Sequence, residues 1–299
     1  MDSTDFTAFL AVADTRSFSR AAERLHLSQP AISKRIASLE SRAGRRLFDR
    51  VGRRVVLTEA GETLVPYARR VLEHLEDGRR ALSQLAGRVA GRLSIGTSHH
   101  IGLHRLPSAL RRFVARHPGV DLDVQFMDSE VACEAVLQGR LELGIVTLPT
   151  RPLAHLHTRR IWPDPLAVMV ARKHPLARAR RVTLPELARH PAVLPDQRTY
   201  THRIVTAELR KHGVTPDVRL ATNYLETLKV LVGIGLGWSV LPESMLDASL
   251  RALRVPGLKM QRELGAVWHE QRTLSGPARA LLEQLPEAAV SRATPAAAR

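Results

Sequence analysis

The chain is poor in the features that secretion and membrane insertion demand. It has one cysteine, Cys133, in 299 residues. A single thiol cannot form an intramolecular disulfide, so a disulfide-stapled extracellular scaffold is excluded and a reducing compartment fits. No run of 18 apolar residues occurs, which excludes a membrane-spanning helix of ordinary length. The opening residues, MDSTDFTAF, lack the basic-then-apolar order of a secretory leader. A cytoplasmic location is therefore expected. Acids are also scarce, with 29 Asp and Glu against 45 Lys and Arg, for a formal net charge of +16. Residues 1–88 hold sixteen Lys/Arg and eleven Asp/Glu, so +5 lies there and +11 in residues 89–299. Overall basicity therefore does not locate a nucleic-acid site, and only a local cluster can. With 44% hydrophobic residues the chain is globular, and its length allows two or three compact units.

What is present is organised around residues 17–43, SFSRAAERLHLSQPAISKRIASLESRA. Ser17 is a good N-cap for a helix over Phe18–Leu25, with Ala21, Ala22 and Leu25 on its packing side. Leu27 plugs the turn. Ser28 can cap a second helix, and Pro30 sits in its first turn, where the missing N–H costs nothing. Ile32, Ile36, Leu39 and Ala43 recur at steps of four, three and four, which makes one buried stripe. Gln29, Ser33, Lys34, Arg35 and Ser38 face the other way. Amide, hydroxyl and cationic side chains near a helix N-terminus suit a DNA groove. An ordinary helical hairpin with a solvated face would share the pattern. The surrounding charge favours DNA: from Arg16 to Arg54 there are eleven Lys/Arg against Glu23, Glu40 and Asp49, a local +8. Two short extended segments follow, Leu47–Arg50 and Val55–Leu57, around a turn at Val51–Arg54. That is a wing with two arginines at its tip.

These blocks resemble the LysR-type transcriptional regulators. The matching residues are FTAFLAVA (6–13), SFSRAA (17–22), LSQPAISKRIASLE (27–40), LFDR (47–50) and LTEAG (57–61). Their order and spacing are far more specific than a lone helix-turn-helix, and a looser resemblance extends to about residue 287. The resemblance implies base-edge contacts from Gln29, Pro30, Ser33 and Arg35; beside them, Lys34 and Arg50 are expected to hold phosphates and Arg53, at the wing tip, to reach the minor groove. The resemblance also implies an α/β multi-domain fold: a winged helix-turn-helix over 1–58, a linker and dimerisation helix over 59–88, and an effector-binding domain over 92–287. The effector domain is expected to have two lobes like those of periplasmic solute-binding proteins. One spans about 92–162 and 269–287, the other about 163–268.

In chain order, Thr4 or Ser3 can cap a first helix over Asp5–Asp14, completing a three-helix core. Thr58 can cap a long helix, Glu59–Leu85. Its Leu64, Ala68, Val71, Leu75, Leu82 and Leu85 form a heptad-like stripe with Gly78 in the missing position. A stripe that narrow suits a partner helix, and an inverted-repeat operator needs a two-fold protein, so a homodimer or homotetramer is expected. Gly87–Gly91 reads as a hinge. Strands are expected at Leu93–Thr97, Val120–Met127, Leu143–Val146, Leu166–Ala171, Ala192–Leu194, Val218–Ala221, Trp238–Leu241 and Leu264–Trp268. Helices are expected at Leu106–His117, Ser129–Gln138, Leu184–Arg189, Thr201–His212, Tyr224–Val232 and Pro277–Leu285. The alternation reads as two parallel doubly wound units. Residues 288–299, rich in Ala and Pro, are expected to be a disordered tail.

A ligand in such a clamshell sits at strand C-termini and helix N-termini. The candidates are Thr97, Ser98, His99, His100, Asp128, Thr147, Thr199, Thr201 and Tyr224. Each is also a plausible helix cap; their convergence on one cleft favours binding, and the hydroxyls and histidines suggest a small anionic metabolite. Asp128 would then oppose the anion or hold an amino group. Adjacent histidines such as His99 and His100 rarely share a metal unaided, so neither a metal nor a cofactor is expected. Cys133 lies in the apolar helix VACEAVLQ and reads as a buried core thiol rather than a nucleophile. Gly233-Ile-Gly235-Leu-Gly237 follows a helix and precedes a strand, the reverse of a phosphate cradle. No enzyme is expected. The reading is a sequence-specific regulator of double-stranded DNA, controlled by a small effector, with RNA polymerase as a downstream partner and no membrane association. The rivals are a solute-binding protein without a DNA role and an α/β enzyme.

Overall fold

The computed structural model describes residues 2–51, 54–84 and 89–286, which divide into two compact units between residues 88 and 89. In the first unit, α1 (Ser3–Thr15) opens on Asp2, whose carboxylate accepts from the Thr4 N–H while the Asp5 carboxylate accepts from the Asp2 N–H. The cap is thus Asp2 rather than Thr4 or Ser3, because a carboxylate one residue earlier serves the helix N-terminus in a reciprocal capping box. Ser17 caps α2 (Phe18–Arg24) and Ser28 caps α3 (Gln29–Ala43), as expected. Gly44 ends α3 in the left-handed region at φ +63°. The core joins Phe6, Phe9, Val12, Ala21, Ala22, Ile32, Ile36 and Leu39 to Phe48, whose ring meets Phe9 and Phe18.

The wing is an antiparallel pair, β1 (Phe48–Val51) with β2 (Arg54–Leu57), in register Phe48 to Leu57. Thr58 caps α4 (Glu59–Gln84) through its hydroxyl, which accepts from Gly61 N. Gly61 is the close-packing point: a Cβ there would lie 2.2 Å from the Leu47 carbonyl oxygen. The stripe expected to form one dimer seam divides. Leu64, Ala68 and Leu72 pack on the three-helix core, whereas Val71 and Leu75 are exposed. The nearest apolar surface to the start of α4 is the protein's own core, and it takes those residues first. The seam positions 82 and 85 lie outside the described side chains, and hinge residues 87 and 88 and the expected tail at 288–299 lie outside the described residues.

The second unit contains β3 (Gly91–Thr97), α5 (His99–His104), α6 (Pro107–Arg116), β4 (Val120–Phe126), α7 (Ser129–Leu137), β5 (Leu143–Thr147) and β6 (Leu156–Ala171). Then come α8 (Leu184–Ala188), β7 (Ala192–Leu194), α9 (Tyr200–Lys211), β8 (Val218–Ala221), α10 (Leu225–Gly233) and β9 (Ser239–Pro242). It ends with β10 (Leu250–Ala252), β11 (Met260–His269) and α11 (Gly276–Gln284), the last packed back on α6 as expected. Among the described residues, parallel strand pairing is found in β4–β3–β5 and in β7–β8, with one isolated parallel bridge from Ala192 to Trp238. The lobes are not two separate parallel units: one seven-stranded sheet, β10-β6-β11-β5-β3-β4 with β9 also on β6, runs through both. Its long antiparallel pair, β6 and β11, was legible only in part. Pro163, Pro165 and three cationic or imidazole side chains in LHTRRIWPDP conceal the first half of β6 from a hydropathy pattern. Each lobe keeps its own core, one around Phe113, Ile95 and Leu281, the other around Trp238, Val205 and Val168.

Candidate functional site

The DNA-reading candidate is the exposed side of α3. Ile32, Ile36 and Leu39 are buried, which turns Gln29, Pro30 and Lys34 to solvent and leaves Ser33 and Arg35 half-buried. Gln29 Nε2 donates to Ser33 Oγ at 3.4 Å, so these two groups share one ridge a helical turn apart. Arg35 leans toward the Thr4 carbonyl at 3.5 Å. The side chain of Arg50 and the whole of Arg53 lie outside the described residues. Not every local cation is available for phosphate. Arg42 is paired with the buried Asp5 at 2.9 Å, and Arg24 and Arg69 both reach Asp14. Glu40, counted in sequence only as an opposing charge, accepts from Leu47 N and Phe48 N and so ties α3 to the wing.

In the second unit a narrow cleft of about 40 Å3 is lined by Ser98, His99, His100, Asp128, Thr147, Thr199 and Thr201. Ser129, Glu130, Pro195, Asn223, Leu225 and Arg262 complete it. The cleft thus unites seven of the nine residues picked from sequence. Thr97 is not among them: it is fully buried, and its hydroxyl donates to the Ile145 carbonyl across the sheet. Tyr224 stands outside as well, half exposed, with its ring edge-on to His99 at 4.9 Å. His99 and His100 are not in a loop; they form the first turn of α5, begun by the extended backbone of Ser98. Thr199 is a working cap, donating to Asp196 O and accepting from His202 N.

Bonds between the lobes hold the cleft shut. Asn223 Nδ2 donates to Asp128 at 2.6 Å, and Glu130 accepts from the Tyr200 N–H at the start of α9. Burial pushes the Glu130 carboxyl up. Arg262 is buried and could not be ranked from sequence, because only the long β11 brings it here. Its guanidinium donates to Asp164 at 3.0 and 2.5 Å and to Thr201 Oγ1 at 3.2 Å, while Arg105 reaches the other Asp164 oxygen. The cleft lining therefore holds two carboxylates, Asp128 and Glu130, and one guanidinium, Arg262, which shares the Asp164 carboxylate with Arg105. Two lining residues keep a buried polar atom without a partner, His100 Nε2 and Asn223 Oδ1.

At one end of the cleft, His100 Nδ1 and His104 Nε2 each lie 3.1 Å from Glu226 Oε1. Desolvation pushes the His100 imidazole below its ordinary value. The imidazole contacts, His100 first, hold the Glu226 carboxyl at about 2. The sequence signal for this pair is the four-residue spacing of His100 and His104, which puts both on one helix face, whereas the adjacent His99 and His100 diverge.

The features behind an enzyme reading lack its geometry. Cys133 is buried, and desolvation pushes its thiol up to about 12. Gly233 ends α10, and a Cβ on Gly237 would lie 2.3 Å from the Pro191 carbonyl oxygen, so close packing accounts for glycine there.

A winged helix-turn-helix joined to a two-lobed α/β unit with a polar cleft defines the class of bacterial regulators that couple DNA binding to a ligand domain. Residues 3–62 match the bacterial regulatory helix-turn-helix protein of the lysR family, and residues 86–290 match the LysR substrate binding domain. The chain belongs to the LysR family and is a helix-turn-helix transcriptional regulator. It is 32% identical to the HTH-type transcriptional regulator YnfL of Escherichia coli (strain K12), over 88% of this chain and 91% of the relative. It is 32% identical to the HTH-type transcriptional regulator CfxR of Cupriavidus necator, over 87% and 82%. Among solved structures, a full-length OxyR variant from Pseudomonas aeruginosa is similar with a TM-score of 0.71 and 25% identity, covering 95% of this chain and 94% of that one. No helix among the described residues is long and apolar enough to cross a membrane.

Proposed function

We propose that α3 reads an operator half-site through Gln29, Pro30, Ser33 and Arg35, with Lys34 and the wing arginines Arg50 and Arg53 on the backbone. The observation that carries this reading is the exposed polar ridge of a doubly capped helix above Ile32, Ile36 and Leu39. The protein acts as a homodimer or homotetramer, in which Val71 and Leu75 of α4 supply apolar contact surface. The cleft between the lobes binds the effector. Its lining favours a small polar metabolite that presents hydrogen-bond donors toward Asn223 Oδ1, Asp128 and Glu130, rather than the simple anion the hydroxyls suggest in sequence. The reason is charge: Glu130 already occupies the start of α9, and the lining sets two carboxylates, Asp128 and Glu130, against one guanidinium, Arg262, that is already engaged with Asp164. Effector binding shifts the assembly between two arrangements with different DNA bend and polymerase access, which requires different effector affinity in each.

The test is a footprint of the purified full chain on the DNA upstream of its own coding region, with excess non-specific competitor. Protection over several helical turns containing an interrupted inverted repeat supports the reading. Failure both there and in selection from random DNA would end the specific-operator proposal. Metabolites are then screened on the same DNA for a changed footprint.

A further inference from the structure

We propose that His100, His104 and Glu226 form a binding site for a divalent transition-metal ion, zinc-like in its preferences, that clasps the two lobes together. One ligand atom from each residue lies within 4.8 Å of the others. His100 and His104 stand one helical turn apart on α5, so their imidazoles share a face, with ring centroids 4.8 Å apart. Glu226, in the first turn of α10, comes from the opposite lobe. Two bonds of about 2.0–2.1 Å at a tetrahedral angle put ligand atoms about 3.3 Å apart. The two imidazole-to-carboxylate distances are already 3.1 Å. Only the edge between the imidazoles must shorten, by at most about 1.5 Å to reach that spacing. His104 is half exposed and can make that adjustment; it also gives the ion a path in from solvent.

The donor set selects the ion. Two imidazoles and one carboxylate suit Zn2+ and its neighbours Co2+ and Ni2+, with water in the remaining position, whereas Mg2+ and Ca2+ prefer all-oxygen shells. A metal on Nδ1 leaves the His100 ring proton on Nε2, the buried atom that has no partner in the metal-free protein. The cleft beside it has room for a water to accept that proton. Because the ligands come from both lobes, the ion favours the closed arrangement over the open one. The site does not depend on the identity of the effector or on the operator.

The experiment is a titration of the purified full chain with Co2+, followed by visible absorption. The expected result is one saturable site per chain, with the d–d bands of a low-coordinate cobalt ion, displaced by Zn2+ and untouched by millimolar Mg2+. His104→Ala, chosen because its side chain is half exposed, should weaken binding at least tenfold. Glu226→Gln should do the same and should abolish the Zn2+-dependent rise in Tm of the effector unit. His190→Ala is the control, since His174 and His190 form another imidazole pair at 4.8 Å; it should bind Co2+ as the parent does. Circular dichroism establishes that each variant is folded. Absence of saturable binding, or Co2+ affinity unchanged in both His104→Ala and Glu226→Gln, would overturn the site. Binding without any rise in Tm would overturn the clasp.

Discussion

The charge cluster under the cleft yields the sharpest stability prediction. Asp164 on β6 sits opposite Arg262 on β11, where the long strands cross from one lobe to the other, and both are buried, at 1% and 3% exposure. Two unit charges about 4 Å apart interact by about 4 kcal/mol at an effective dielectric near 20. Removing one partner of a buried pair costs about 3–5 kcal/mol, because the other charge remains without compensation. Asp164→Asn keeps the shape and one acceptor oxygen, so the expected loss is at the low end, about 3 kcal/mol. All three tryptophans, Trp162, Trp238 and Trp268, lie in the effector unit. Fluorescence in urea therefore reports that unit alone. With an m-value of about 3 kcal/mol/M the midpoint should fall by roughly 1 M. Replacing both charges, by Asp164→Leu with Arg262→Met, should recover stability to within about 1 kcal/mol. A loss below about 1 kcal/mol in Asp164→Asn would mean that the pair is solvated and that the electrostatic account of the cleft is wrong.

Three further outcomes are expected. Gly61→Ala should destabilise the DNA-binding unit by about 1–3 kcal/mol in thermal melts and weaken DNA binding with it, because its Cβ would press on the Leu47 backbone. Ser33→Ala should weaken specific DNA binding by about 1–3 kcal/mol, measured against competitor, while its affinity for non-specific DNA stays within about twofold of the parent. Cys133 should resist a disulfide reagent at pH 8, where roughly one thiol in ten thousand is ionised for a group held at about 12, and should react at once in urea. The native state keeps a proton that the unfolded thiol releases near 9.0, so this residue's contribution to stability should fall as pH rises from about 9 toward 12. An absence of any alkaline decline that disappears in Cys133→Ala would contradict that sign.

The DNA-binding unit was legible from sequence because its signals are local. Ser17, Ser28, Pro30, Thr58 and the Ile32–Ile36–Leu39 stripe act within one or two turns of chain, and each does in space what its spacing implies. Most of the cleft was legible for the same reason, since strand ends and helix starts are read residue by residue. Tertiary structure alone decided what depends on distant partners. It gave Leu64 and Ala68 to the core beneath α4 rather than to a second chain, because that apolar surface is the nearest. It hid Thr97 behind a bond to Ile145, 48 residues away in sequence. It carried Arg262 to Asp164 on neighbouring strands 98 residues apart, and it set Glu226 against His100 and His104 from the other lobe. A hydrophobic period records which face of an element is buried; it carries no record of which charge from elsewhere in the chain will meet it there.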